Sequence, residues 1–290
     1  MDIQALKAFI TVVESGSFSA AADRLHITQP AVTKRIQGLE SQLGAPLFDR
    51  FQRRIVLTEA GRVLLPRAQD ALLQLSRAEL EIQNLSGIVG GTLALATSHH
   101  IGLHRLPEVL RHYTRRFPEV DLQLQFMESE KAYEAILNGD VELAFVTLSP
   151  EAPASIESLP IWEDSLTFVA APNHPLHSLC NPTLEDLVDY NAILPAPFTH
   201  TYRIVKRLFN EQEIPLTAVM PTNYLETIKM MVSVGMGWSV LPDSMLDHSL
   251  RALDLKVSLQ RSLGVICHRN RILSNAAQAI VQQAKDSCPQ

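Results

Sequence analysis

The sequence predicts an α/β protein: an N-terminal winged helix-turn-helix, a long linker helix, and a larger C-terminal domain of alternating strands and helices. Three observations predict it. An alanine-rich pair of helical segments spans Ser17–Glu40, apolar residues recur four and three apart from Leu64 to Leu85, and β-α-β-α-β patterning begins at Thr92.

In the first segment, Ala20, Ala21 and Ala22 are small enough for two helix backbones to approach closely. Leu25 and Ile27 supply an apolar corner, and Thr28 is placed to cap the next helix. Gln29 and Pro30 fall in its first turn, where a missing N–H costs nothing. Val32, Ile36 and Leu39 form a buried stripe, which leaves Gln29, Thr33, Lys34 and Gln37 to hydrogen-bond bases or phosphates from the opposite face. From these residues alone, a helical hairpin that merely packs is the alternative. The residues after the hairpin weigh against it: Gly44 suits a left-handed C-cap after Leu43, and Pro46–Asp49 and Ile55–Leu57 flank a basic turn of Arg50, Arg53 and Arg54. Two short extended runs around such a turn make a wing able to reach phosphate or minor groove.

Thr58-Glu59-Ala60-Gly61 opens the next helix, expected from about Thr58 to Ser86 with Pro66 bending its first turns. Leu64, Ala68, Ala71, Leu75, Ala78, Ile82 and Leu85 make an a/d seam suited to coiled-coil pairing, the alternative being a lone helix lying on the body of the protein. Gly87, Gly90 and Gly91 mark a hinge. Beyond it, strands are expected near 92–97, 121–127 and 142–148, with helices near 103–117 and 131–138, an order that argues for a parallel sheet with covering helices. A second set comprises 165–171, 184–188, 192–194, 201–210, 216–222 and 225–234, then strands near 237–241 and 264–268 and a last helix near 275–285.

The chain has 290 residues and a net charge of −6, with 46% hydrophobic and 19% charged residues, which excludes a disordered chain. The acidic surplus lies outside the first ninety residues: 10 Lys+Arg stand against 9 Asp+Glu in 1–90, and 15 against 22 beyond. Arg24, Lys34, Arg35, Arg50, Arg53 and Arg54 concentrate positive charge where phosphate contact needs it. No basic-then-apolar leader and no apolar run of membrane-spanning length is visible, and Cys180, Cys267 and Cys288 are three and far apart. A cytoplasmic location with reduced thiols and no membrane contact is expected.

The segment from about Met1 to Gly61 resembles the winged helix-turn-helix of LysR-type transcriptional regulators. The shared pattern is Phe9, Ser17–Ala22, Leu25, Thr28–Thr33, Ile36, Leu39-Glu40, Leu43-Gly44, Leu47-Phe48, Arg50 and Leu57–Gly61. The resemblance implies a DNA-binding domain over 1–58, a dimerising linker helix and hinge over 59–90, and an effector-binding domain over 91–290. It further implies two Rossmann-like subdomains similar to periplasmic solute-binding proteins, 91–161 with 268–290 and 162–267. Gly139–Ala144 and Val234–Pro242 resemble family patterns in that half. The implied partners are double-stranded operator DNA with dyad symmetry, a second chain paired through 59–86, a homotetramer built from such pairs, RNA polymerase, and a small effector. The DNA-contact set is Ser17, Ser19, Thr28, Gln29, Pro30, Thr33, Lys34, Gln37, Arg50, Arg53 and Arg54.

By position, the resemblance places the effector at Ser98, His99, His100 and Thr147 in the first subdomain and at Thr199, His200 and Thr201 in the second. Donor-rich residues at helix starts suit a small anion, a carboxylate or a sulfur oxyanion. The stretch Thr97–Pro107 resembles family branches tied to sulfur assimilation. Ser98 and Thr199 can equally be plain helix caps. His99, His100 and His104 raise the question of a metal site, since histidines four apart on a helix can share a metal, but no carboxylate or cysteine follows at a supporting spacing and His104 can fall on the far side, so no metal and no cofactor is expected. A Gly-x-Gly-x-x-Gly turn, a Gly-x-x-x-x-Gly-Lys loop and a Gly-x-Ser-x-Gly elbow are all missing, which argues against an enzyme, while the missing leader residues and the attached DNA reader weigh against a solute receptor.

Overall fold

The computed structural model describes residues 2–49 and 55–287. The chain divides into two compact units, 1–86 and 87–290. The expected basic turn residues Arg50, Arg53 and Arg54, and Cys288, lie outside the described residues.

In the first unit, α1 (Ile3–Ser15), α2 (Phe18–Arg24) and α3 (Gln29–Leu43) precede a two-residue antiparallel pair, β1 (Phe48–Asp49) and β2 (Val56–Leu57), and then α4 (Glu59–Asn84). Phe9, Val12, Ala21, Val32, Ile36, Leu39 and Leu47 form its buried core, with the Phe48 ring 5.5 Å from Phe9 and 5.6 Å from Phe18. Gly16 and Gly44 end α1 and α3 in the left-handed region, φ 64° and 68°, where glycine has no Cβ penalty. Glu40 on α3 accepts from Leu47 N at 2.8 Å, and Thr58 donates to Pro46 O while accepting from Gly61 N, so both ends of the wing are pinned to helices.

The linker helix runs unbroken through Pro66. Its expected seam divides. Leu64 and Ala68 pack into the helix-turn-helix core, whereas Ala71, Leu75, Ala78, Ile82 and Leu85 are exposed, Ile82 by 70% and Leu85 by 86%.

The second unit runs β3 (Gly91–Thr97), α5 (His99–His104), α6 (Leu106–Arg116), β4 (Val120–Phe126), α7 (Ser129–Asn138), β5 (Leu143–Thr147), β6 (Ile156–Ala170), α8 (His200–Glu211), α9 (Leu225–Ser233), β7 (Trp238–Pro242), β8 (Arg251–Ala252), β9 (Leu259–His268) and α10 (Asn275–Asp286). The helix expected near 103–117 is two helices. Pro107 brings no N–H to the ladder, so the chain restarts after Arg105. Segments 184–188 and 216–222 form no helix or strand; Ala192 and Ala218 are joined by an isolated bridge.

The three strands expected to pair in parallel do so, but they belong to a larger mixed sheet in the order β4-β3-β5-β9-β6-β7 with β8 also on β6. Among the ladders of the described residues, those of β3 with β4 and with β5 are parallel, and β5–β9, β9–β6, β6–β7 and β6–β8 are antiparallel; Trp238 of β7 also meets Ala192 in an isolated parallel bridge. The cause is that β6 and β9 are long strands shared by two lobes. Leu159 and Trp162 of β6 belong with Leu263 and Val265 of β9 in a core around Leu95, Phe145 and Ile280. Leu166 and Phe168 of β6 belong with Leu259 in a second core around Leu194, Phe209 and Trp238.

The β6–β9 ladder slips between Pro160 and Trp162, and opposite the slip a Cβ on Gly264 would stand 2.1 Å from Leu159 O. Gly264→Ala is therefore expected to cost about 1–3 kcal/mol through backbone displacement. Urea unfolding followed by fluorescence of Trp162 and Trp238 measures it; an unchanged midpoint would contradict the close approach.

Candidate nucleic-acid interface and effector cavity

On α3, burial of Val32, Ile36 and Leu39 turns Gln29, Pro30, Lys34 and Gln37 outward, with Thr33 half-buried beside them. Thr28 occupies the N-cap position, but its hydroxyl makes no capping bond and the residue is exposed. The expected cap is therefore supplied by backbone alone, with Thr28 O accepting from Val32 N. Ser17 caps α2 through its hydroxyl, accepting from Ala20 N at 3.4 Å, and Ser19 is exposed on the same helix. A turn through His26, at φ 51°, sets α2 against α3. Arg24 pairs with Glu14 and Arg35 donates to Gln4, which leaves Lys34 as the uncommitted cation among the described residues of α3. A helix with one apolar and one donor-rich face, held against two others at a tight turn, has the arrangement that enters a major groove.

In the second unit all seven effector candidates, Ser98, His99, His100, Thr147, Thr199, His200 and Thr201, line one cavity of about 220 Å³. The sheet and helix starts bring them there. Ser98 follows β3 at the start of α5, Thr147 ends β5, and Thr199–Thr201 open α8. Their roles differ. Thr199 is a true cap, accepting from Tyr202 N and donating to Ala196 O at 2.8 Å. Ser98 stands at the N-cap of α5 without a capping bond. The His99 ring sits 5.3 Å from Phe126 and 4.7 Å from Tyr224. Thr201 accepts from Nη1 of Arg261 at 2.8 Å.

Arg261 is a residue that sequence patterning missed. It faces Asp164 across the β6–β9 ladder, and both side chains are buried, at 6% and 2% exposed. Arg261 Nε donates to Asp164 Oδ2 at 2.8 Å, and Arg105 Nη2 donates to Oδ1 at 3.0 Å. Arg261 Nη2 lies 2.7 Å from the same carboxylate but makes no directional hydrogen bond. Burial lowers the arginine pKa and Asp164 opposes that shift. The ring nitrogens of His100 and Nε2 of His200 also lack hydrogen-bond partners. Burial lowers both imidazole pKa values, that of His100 to about 3, so His100 is neutral near pH 7. Two buried imidazoles without hydrogen-bond partners thus share one cavity wall with an ion-paired arginine.

Two glutamates span the cavity from α7. Glu130 accepts from His200 N at 2.6 Å, filling the N-terminus of α8 with a carboxylate of the chain's own. Glu128 accepts from Asn223 Nδ2 at 3.3 Å and pairs with Lys131 at 2.7 Å. Asp164 and Arg261 leave one trace in sequence: charged residues interrupting apolar strand runs. The glutamates, Asn223 and Tyr224 leave none, because exposed helix and loop positions carry such residues routinely.

A helix with an outward donor-rich face on one unit and a donor-lined cavity between two lobes on the other are the arrangement of a DNA-binding regulator with an effector-binding domain. Two family models match accordingly, "Bacterial regulatory helix-turn-helix protein, lysR family" over residues 3–62 and "LysR substrate binding domain" over 86–289. The chain belongs to the LysR family of transcriptional regulators. It is 30% identical to a protein of Synechocystis named "Probable RuBisCO transcriptional regulator", over 96% of this chain and 84% of that one. Its fold is similar to a full-length OxyR variant from Pseudomonas aeruginosa, with TM-score 0.72, 21% identity and 98% of each chain covered. It is also similar to full-length CbnR in complex with its target DNA, with TM-score 0.60, 23% identity, and 99% of this chain and all of that one covered.

Asp164→Asn leaves the Arg261 guanidinium buried without its counter-charge. The expected loss is about 3–5 kcal/mol of stability, read as a lower urea midpoint of tryptophan fluorescence. A midpoint within error of the parent would show that the pair carries no such burden.

Proposed function

We propose that residues 1–58 read a dyad operator, that 59–90 pair two chains, and that 91–290 bind a small anion, a carboxylate or a sulfur oxyanion, whose occupancy changes the grip on DNA. Two such pairs make the homotetramer, acting in the cytoplasm with RNA polymerase as a further partner. The observation that supports the effector reading is the cavity wall where buried His200 presents an unbonded ring nitrogen and Ser98 stands at the N-cap of α5 without a capping bond. An arriving anion meets the Glu130 carboxylate already seated on α8, so its binding entails displacing that residue. For the linker, exposure of Leu75, Ile82 and Leu85 supports pairing: in water such a stripe gains by meeting its like.

On DNA, Gln29, Thr33, Lys34 and Gln37 contact bases and nearby phosphates, with Ser17, Ser19, Thr28 and Pro30 at the groove edge and Arg50, Arg53 and Arg54 as wing contacts. Thr33→Ala is expected to narrow the preference for operator over random duplex by about 1–3 kcal/mol. Lys34→Ala weakens both alike and reduces the salt slope by about one ion. Gel shifts across a salt series on the upstream region of the chain's own gene separate the two; equal loss of folding in both variants defeats the assignment.

For the cavity, thermal melting of the full chain is screened against carboxylates, sulfite, sulfate and thiosulfate. A ligand a hundredfold above its Kd stabilises by about 2.7 kcal/mol. Ser98→Ala is expected to weaken that ligand about tenfold while operator binding persists. An undiminished response in the variant moves the effector away from α5, and no response to any anion makes the protein an effector-independent member of its family.

A further inference from the structure

At the edge of the cavity, His100 and His104 stand one turn apart on α5, with ring centroids 4.8 Å apart. Glu226, in the first turn of α9, reaches them from the other lobe: His104 Nε2 lies 3.1 Å from Glu226 Oε1. One donor atom from each of the three residues lies within 4.8 Å of the other two. His100 is buried, at 6% exposed, and neither of its nitrogens has a hydrogen-bond partner. Leaving a buried imidazole unpaired costs stability unless something else uses its lone pair.

We propose that His100, His104 and Glu226 form a binding site for a divalent transition-metal ion of the zinc class, with a fourth position open to solvent or ligand. Two imidazoles and one carboxylate are the donor set that such ions take in sites of three protein ligands. Tetrahedral bonds of about 2.0–2.1 Å put donor atoms about 3.3 Å apart. The His104–Glu226 separation already matches, and rotation of the unbonded His100 ring closes the remainder.

Two arginines against Asp164 and Glu226 leave the corner close to charge balance. Arg105 and Arg261 both approach this corner, but each is engaged by Asp164, whose carboxylate also stands 3.7 Å from His100 Nε2. Glu226 therefore remains available to offset the ion. His104 and Glu226 are half-exposed, which provides an entry path. The sequence alone shows only the histidine pair of this site, because the carboxylate lies 122 residues beyond His104 and comes from a different helix.

The test uses untagged full-length protein, stripped with a chelator and titrated with zinc by calorimetry and with cobalt by visible absorption. Uptake of one equivalent per chain is expected, with cobalt giving the absorption bands of a low-symmetry nitrogen–oxygen site. His104→Gln and Glu226→Gln are each expected to weaken binding about tenfold or more and to change the cobalt spectrum. His112→Ala, on the exposed face of α6, and Cys180→Ser, an exposed thiol, are expected to change neither. Circular dichroism establishes that each variant is folded. If the parent takes up no metal at about 100 μM, or both glutamine variants bind as it does, the site is an ordinary histidine–glutamate contact and the proposal fails. Operator binding and the anion response are separate readouts, so this failure leaves the effector reading standing.

Discussion

The second unit depends on one electrostatic constraint, the carboxylate of Asp164 buried between Arg261 and Arg105. Asp164 and Arg261 face each other where β6 and β9 pass from one hydrophobic core to the other. A buried charge is tolerated only when paired and hydrogen-bonded, so the two strands must keep their register at the crossing. That register sets the cavity wall: Arg261 Nη1 holds the Thr201 hydroxyl, and Thr201 sits in the first turn of α8. The ion pair thereby connects the crossing strands to a helix start that faces the other lobe.

Contacts between the lobes are mostly polar. Glu130 reaches the α8 N-terminus, Glu128 reaches Asn223, and His104 reaches Glu226. Polar contacts of this kind exchange readily for water or for a ligand, since their net contribution is about 0.5–1.5 kcal/mol each. The apolar clusters, two to each lobe, are different in kind. One closes on Val109 and Ile280 and another on Ile136 and Val146 in the first lobe, and one on Val205 and Phe209 and another on Ile228 and Leu241 in the second. Rigid lobes joined by two strands and a replaceable polar seam suit hinge motion, in which the cores stay intact and the seam is what changes.

Legibility in the sequence follows the range of the interactions. The helix-turn-helix is local: Val32, Ile36 and Leu39 at helical spacing, Gly44 after the last turn and Thr58 before the next helix each act within a few residues. The seven cavity residues can be placed because each ends a strand or opens a helix, positions that turn signals mark. The mixed sheet cannot be read, because the strand-helix alternation describes only β3, β4 and β5. The strands that reverse direction, β6 and β9, are interrupted by Asp164, Arg261 and the slip at Pro160, which hide their length. Arg261 itself has the pattern of a solvent-facing alternate of a strand, since only the facing aspartate makes its burial tolerable, and that partner lies 97 residues earlier.

The linker helix shows why periodicity alone leaves pairing ambiguous. A seam with four- and three-residue spacing is satisfied equally by the body of its own chain and by a second copy. The first two positions are taken by the chain itself: Ala68 is buried and Leu64 packs beside it against the helix-turn-helix core. From Ala71 onward the positions are exposed, ending in Ile82 and Leu85. Alanine at 71 and 78 buries little area, so a pairing seam here draws on Leu75, Ile82 and Leu85 for most of its apolar contact. At about 25 cal/mol per Å² such a short seam is weak by itself. A stalk of this kind would therefore need a second source of association, and in the proposed reading two helices on one operator would supply it, because holding both halves on one duplex makes the second contact effectively intramolecular.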